Sequence, residues 1–593
     1  MDLMFASATG LVVLVVVFVW MGIWFQRSVS SSEDFLLAGR KIPFWLLAAA
    51  YLGGFIGGAS VSGYAGYGFS GGLSQFWVAL WVIVGVTLYI VLFARRVNHF
   101  GRKTGAQTLA DFMCARYGES MRLPAAIISF FRPGFITGMQ YLALAVVLNV
   151  AFNLPIAYGV VISAVIMLLY TITGGQYSAL VTQWLQALLQ SVGILVFAIA
   201  AFRVLSGDVG TVTNMLYTVI PPKFMDFWAF NPTMLSVWFL TFCLFYLVDP
   251  WMYMWAYVAE SPRTSSNAQL AILSGSFFTV LPFLGGIALF AASTTGALAI
   301  PSKVSPDGLY SWFAMNRLGV AVGAVLIIGL AMTILSCASS FLMNGATIIT
   351  RDIYLKTVNP RATDQQLLRV GRLSVLGVTV FGIATALWLP ILVPLWTLAQ
   401  ALVISGLLAP MLAAWFWKRA TTSGAFVSAV AGGLAGIGWA VVCWLQTGSP
   451  GGLVYGLHAA HVGLIVSVPL MIIVSLATKP EYEKAAVTSW ADLGRSLAAA
   501  SVGSEGEEKG VFGWLGARSG VEKVGWVVTF VLFALHFILP SLARIQVFGL
   551  ALNWVSLIAS IGLFIVLIAL GAGDVWRIMS AARVRRVEAP EVR

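Results

Sequence analysis

The sequence predicts an all-α membrane protein of about fifteen transmembrane helices, and three observations carry that prediction. Of its 593 residues, 60% are hydrophobic and only 9% charged, whereas a soluble domain keeps about a quarter of its residues charged. The apolar residues fall in runs that reach the ~20 residues a helix uses to cross a bilayer. The 34 Lys and Arg are sorted by side: with the N-terminus outside, 28 fall in the inner segments, five in the outer ones and Arg132 within a span. That asymmetry is the positive-inside pattern. It accounts for the net charge of +12 without nucleic acid.

Fifteen runs qualify, at 7–25, 42–69, 73–94, 123–150, 155–174, 178–204, 232–259, 268–299, 318–349, 368–388, 391–417, 424–446, 457–477, 524–543 and 547–572. The first begins after Asp2 and ends at Gln26-Arg27, without the basic start or small-residue cleavage site of a secretory signal, so it reads as a retained span. The second is rich in glycine, at positions 53, 54, 57, 58, 63, 66, 68, 71 and 72. The fourth carries Arg132-Pro133 and the seventh Asp249-Pro250. After the thirteenth comes a polar stretch, 480–523, with GSEGEEKG in its middle. Its charge and Gly/Ser content suggest a cytoplasmic linker. These features divide the chain into an extra N-terminal helix and loop (1–41), a core (42–417), two further helices (418–479), the linker (480–523), and two C-terminal helices with a basic tail (524–593). The 22 Trp suit a headgroup interface. The four Cys lie far apart and form neither a disulfide framework nor a zinc site.

The second and seventh runs are interrupted as ordinary spans are not, and they lie five spans apart. Corresponding broken helices in two halves point to a binding site near the midplane of a transporter. Unwound backbone is tolerated at that depth only where it lines a cavity. Single glycines also serve close helix packing, but nine in 22 residues opposite a second broken span favour a site. Asp249 at the break would take a proton, face a cationic group or cap the half-helix beginning at Pro250. Arg132 would hold a substrate carboxylate, snorkel to the headgroups or pair with Asp249. Tyr64, Gln75 and Trp251, with Tyr67, Phe69, Phe76, Trp77 and Tyr253, are candidates for gates and pocket walls. His458 and His461 have the spacing of a metal pair but no third ligand nearby, and read as surface residues.

Five stretches, in order, resemble the sodium:solute symporter family. They are EDFLLAGRKIPFW before the second span, TLADFMCARYG after the third, and YTITGGQYSALVTQWLQ between the fifth and sixth. AMTILSCASSFLMNGATIITRDIY in the ninth and WFWKRATTSGA after the eleventh complete the set, which covers about residues 33 to 477. The resemblance implies a leucine-transporter-type inverted-repeat fold of 5+5 helices, spans two to six and seven to eleven. It also implies alternating access, usually with sodium coupling. By motif position, sodium would be held by the carbonyls of Gly53, Ile56 and Thr333 and the side chains of Ser336 and Cys337, while Ala59 and Ser60 would line the substrate cavity. The chain departs from the family at Cys337, where a second hydroxyl is usual, and at Gln183, where an acidic residue is usual.

The expected function is thus secondary symport of a small organic solute, with a slight lean to a carboxylate or amino acid. Na+ is the expected coupling ion, and no organic cofactor is implied. Proton-coupled or sodium-independent transport on the same fold, and a transporter-like sensor, are the alternatives. An enzyme is disfavoured because four His and four Cys are scattered, and an ATP-driven pump because no GxxxxGK loop is present. The expected location is the cytoplasmic membrane, N-terminus out and C-terminus in. The expected partners are the solute and the lipid bilayer. The sequence leaves open a small membrane subunit or a second copy.

Overall fold

The computed structural model describes residues 2–204 and 220–502, apart from 27, 28, 30, 41 and 43, with a few isolated positions from 524 to 551. The runs at 524–543 and 547–572 and the basic tail lie almost wholly outside the described residues. The first thirteen runs all become helix, because apolar segments in lipid must satisfy every backbone group internally.

Helix α1 (Leu3–Gln26) turns Val12, Val16 and Trp20 outward, as expected of a lipid-facing span. After the short α2 (Ser32–Leu37), the second run forms two half-helices, α3 (Phe44–Phe55) and α4 (Tyr64–Gly71). A π-helical turn at Ala59–Gly63 precedes α4, and the two halves meet at 59°. Next come α5 (Trp77–Tyr89), α6 (Arg95–Thr104), α7 (Leu109–Tyr117) and α8 (Arg122–Phe152). Helix α9 (Ile156–Arg203) has 48 residues, which would extend ~72 Å if straight. It folds back at Gly175, whose φ of 56° and ψ of −143° suit glycine alone. The reversal is visible in its partners: Tyr170 donates to the Leu335 carbonyl at 2.8 Å, and Gln183, on the other limb, donates to the Ser336 carbonyl at 3.1 Å.

The seventh run is also broken, into α10 (Pro232–Phe242) and α11 (Pro250–Val258) with a 3-10 turn at Leu244–Val248 between them. Then follow α12 (Pro262–Phe278), α13 (Val280–Thr294), α14 (Leu309–Arg317), α15 (Val320–Thr347), α16 (Asp364–Trp388), α17 (Leu392–Phe416), α18 (Thr422–Thr447) and α19 (Ala459–Ala477). Among the described residues, ten helices are long and apolar enough to cross a membrane, and counting the bent pair as one span makes eleven. The fold-back of α9 and the α12–α13 pair supply the last two passes. Because five is odd, the second five-span unit starts from the face opposite the first, which gives the two halves inverted orientations.

Close helix crossings rest on glycine. A Cβ on Gly193 of α9 would lie 3.0 Å from the Gly329 Cα of α15. Gly68 of α4 meets the Phe283 carbonyl of α13, and Gly286 of α13 meets the Ala65 carbonyl of α4. At the end of the bundle holding the basic loops, Arg122 pairs with Asp111 (3.0 Å) and Asp352 (3.1 Å), and Arg351 pairs with Asp111 (3.1 Å). The described part of the 480–523 stretch is helical: α20 (Tyr482–Thr488) and α21 (Trp490–Val502). It docks at the same end, with the Arg96 guanidinium 3.8 Å from the Trp490 ring and His99 2.9 Å from Ser496.

Candidate functional site

Breaking a helix leaves orphaned amide and carbonyl groups that something must satisfy. At the α3 break, side chains from two other helices do so. Gln140 of α8 accepts the Gly58 N–H through Oε1 at 2.9 Å. Ser336 of α15 reaches the Gly53 carbonyl at 2.6 Å and the Thr333 carbonyl at 2.9 Å. Three of the five expected ion ligands therefore converge at one hydroxyl. Gln190 joins them, its Oε1 3.4 Å from Ser336 Oγ and its Nε2 donating to the Leu52 carbonyl. Gln183 holds the Ser336 carbonyl, and its own Oε1 has no hydrogen-bond partner among the described residues. The cluster is wholly buried and rich in oxygen, the donor set a hard monovalent cation prefers.

The other two expected ligands lie at the break itself and on a neighbouring wall. Ile56 is fully buried at the break and donates its amide to the Leu52 carbonyl at 3.3 Å. Cys337 lines a neighbouring cavity, because consecutive helical residues point about 100° apart. A Cβ on Gly57 would lie 2.6 Å from Gln140 Nε2 and 2.9 Å from Cys337 Sγ. Glycine there lets the broken strand of backbone approach both.

That cavity is narrow, with about 20 Å³ of free volume. Phe55, Ile136, Met139, Phe341 and Trp396 form apolar walls, and Ser60, Arg132, Gln140 and Tyr246 supply the polar atoms. Arg132, Ile136, Met139 and Gln140 are one stripe of α8 at i, i+4, i+7 and i+8. Arg132 is 4% exposed and does not snorkel. Its Nη2 lies 3.5 Å from Asp249 Oδ2, and its guanidinium stacks near Phe245 (4.8 Å) and Phe341 (5.0 Å). Asp249 also caps α11, accepting the Trp251 N–H at 3.0 Å. Pro250 then occupies the first helical position, where it has no amide to lose.

The remaining expected residues surround the cavity. Trp251 donates to Ser340 at 3.1 Å and stacks on Phe341. Tyr64 lies beside Trp396, with ring centroids 6.2 Å apart. Ala59 is buried beside Gly63. Gln75 lies away from the lining, half-buried near Gly71. Away from the basic end, Trp77 stacks on Phe227 (4.7 Å) and Phe76 meets Phe283. Towards the basic end, Trp415 donates to the Tyr253 hydroxyl at 3.0 Å and stacks on Phe112. His458 is not a surface residue. It is fully buried and caps α19, with His461 completing the capping box. No group of three or more metal-ligating side chains occurs among the described residues.

Sequence reasoning missed Gln140, Gln190, Tyr246 and Trp396. The available signal was a buried amide in an otherwise apolar span, as at Gln140 and Gln190; nothing marked the aromatics.

The sodium:solute symporter family model matches residues 35–432. A sodium/glucose cotransporter of Vibrio parahaemolyticus is 26% identical over 455 residues, covering 71% of this chain and 82% of that one. A sodium/proline symporter of Staphylococcus aureus is 25% identical over 484 residues, covering 77% and 89%. The solved structure of a Na+-coupled sialic acid symporter, substrate-bound and outward-open, superposes with a TM-score of 0.67 at 17% identity, over 81% of this chain and 99% of that one. This last likeness shows the shared fold. The chain is a multi-pass membrane transporter, not an enzyme, and it belongs to the sodium:solute symporter family.

Proposed function

We propose that the protein couples entry of a small organic solute to the sodium gradient, with residues 42–417 as the transport core. The observation that carries this reading is the Ser336 hydroxyl bridging the Gly53 carbonyl of the broken helix and the Thr333 carbonyl of α15. Sodium occupying that cluster ties α3 to α15, and the solute fills the adjacent cavity, where Arg132 meets an anionic group. Asp249 is committed to Arg132 and to its cap, which disfavours it as a proton carrier. The basic loops gathered at one end support an inner face there, with the N-terminus outside and the 480–523 stretch in the cytoplasm.

The test is sodium-dependent uptake. Replacing Ser336→Ala removes a side-chain oxygen, and hydrogen bonds to charged groups are worth about 1.5–3 kcal/mol. The sodium concentration for half-maximal uptake should rise at least ~10-fold, while Cys337→Ser keeps coupling intact. Uptake that ignores sodium but collapses with a protonophore overturns the reading.

A further inference from the structure

We infer that the site takes a small monocarboxylate lacking an ammonium group, and carries it as the counter-anion of a single sodium ion, so that each turnover moves no net charge. The inference rests on the sodium-symport reading above. It follows from two inventories of the same site.

The first is an inventory of hydrogen-bonding capacity. Among the buried polar side-chain atoms lining the cavity, those without a partner among the described residues are Arg132 Nε and Nη1, Gln140 Nε2 and the Tyr246 hydroxyl. The first three only donate, and the hydroxyl both donates and accepts. Gln140 Oε1, the one amide acceptor on the wall, is already used by the Gly58 N–H. A carboxylate supplies the acceptors these donors lack. An amino acid would bring an ammonium to a wall with no anionic side chain, since Asp249 lies behind Arg132 and outside the lining. A sugar would bring many hydroxyl donors that find few acceptors. The apolar wall of Phe55, Ile136, Met139, Phe341 and Trp396 suits a short carbon body.

The second is an inventory of charge. Among the described residues, and apart from the Arg122–Asp111–Asp352 cluster at the basic end, the buried ion pair is Arg132 with Asp249, which is neutral as a unit. Every group of the ion cluster is neutral: the Gly53 and Thr333 carbonyls, the Ser336 hydroxyl and the amides of Gln183 and Gln190. A cation there has no protein anion to offset it, and an uncompensated buried charge is costly. Ser336 and Cys337 are consecutive, one in the ion cluster and the other on the cavity wall. Solute and ion therefore lie within a residue of each other, and the solute carboxylate is the nearest available counter-charge. A second sodium would lack one.

Two measurements test this. Calorimetry on the full chain in nanodiscs compares pyruvate, L-alanine and pyruvamide, in sodium or choline chloride. Pyruvate should bind at least tenfold more tightly in sodium, and pyruvate should tighten sodium by the same factor, as linkage requires. Alanine or pyruvamide binding as tightly as pyruvate in sodium overturns the inference but leaves sodium symport standing. Sodium that tightens none of these, nor a panel of sugars and amino acids, overturns the symport reading itself. In proteoliposomes with a fixed sodium gradient and a valinomycin-set potential, pyruvate accumulation should agree within twofold at 0 and −100 mV. One extra charge per cycle would raise it ~50-fold per 100 mV, and that result overturns the single-ion stoichiometry.

Discussion

Neutralising Arg132 and Asp249 singly and together measures what the buried pair contributes. At the observed 3.5 Å, two unit charges attract by about 5 kcal/mol in an effective dielectric near 20. Much of that is offset, because both side chains are almost fully withdrawn from solvent, 4% and 0% exposed. The larger effect appears when one partner goes. Arg132→Gln leaves a buried carboxylate alone, and Asp249→Asn leaves a buried guanidinium alone; each should cost about 3–5 kcal/mol. Asparagine caps a helix as well as aspartate, so Asp249→Asn keeps the Trp251 amide satisfied and the cost reports on charge. The double variant restores neutrality and should recover about 2–4 kcal/mol of the summed losses. The assay is equilibrium unfolding in mixed micelles. Single losses below ~1 kcal/mol that add within ~0.5 kcal/mol would show that the two charges do not interact.

Other expectations follow from single positions. Gly57→Ala would place a Cβ 2.6 Å from Gln140 Nε2; sodium-dependent solute binding should fall at least tenfold, read by calorimetry, because the break can no longer reach Gln140. At the basic end, burial raises the Asp111 carboxyl, but Arg351, the Gln107 amide and Arg122 outweigh it and hold it below the ordinary carboxylate value. A depressed folded value contributes stability above the unfolded pKa and loses it as pH falls through the folded one. Unfolding followed from pH 6 downward should therefore show this contribution intact until below about pH 4, and Arg351→Gln should move its loss to higher pH. A Glu505→Cys variant should resist an impermeant thiol reagent in intact cells and react after permeabilisation; rapid labelling of intact cells would reverse the orientation.

The fold was legible where a local rule decides it. Run length set the helices, the Asp249-Pro250 dipeptide offered a capped half-helix as one of three readings, and clustered glycine announced the α3–α4 break. A charge at midplane demands a partner, which made the Arg132–Asp249 pairing one of three options before any coordinates. What stayed hidden depends on assembly. Tyr246 and Trp396 look like any aromatics until α10–α11 and α17 are brought to α3 and α8. Cys337 follows the family motif in register, yet its neighbour Ser336 already faces Gly53, so its own sulfur turns to the cavity. The two helices at 482–502 lie in a stretch whose charge and Gly/Ser content read as linker, and Trp490 becomes informative only beside Arg96.

The glycine crossings divide the molecule mechanically. Where Gly193 and Gly329 bring backbone onto backbone, α9 and α15 have no side-chain cushion to deform, so they translate together as one stiff beam. The reciprocal seating of Gly68 and Gly286 fuses α4 and α13 into another. The Gly53–Ser336 hydrogen bond and the Gly54–Ser340 approach join α3 to α15 of the first beam. Rocking of α3 against α15 would shear these contacts first, so the groups proposed to hold the ion would also report the relative position of the two helices.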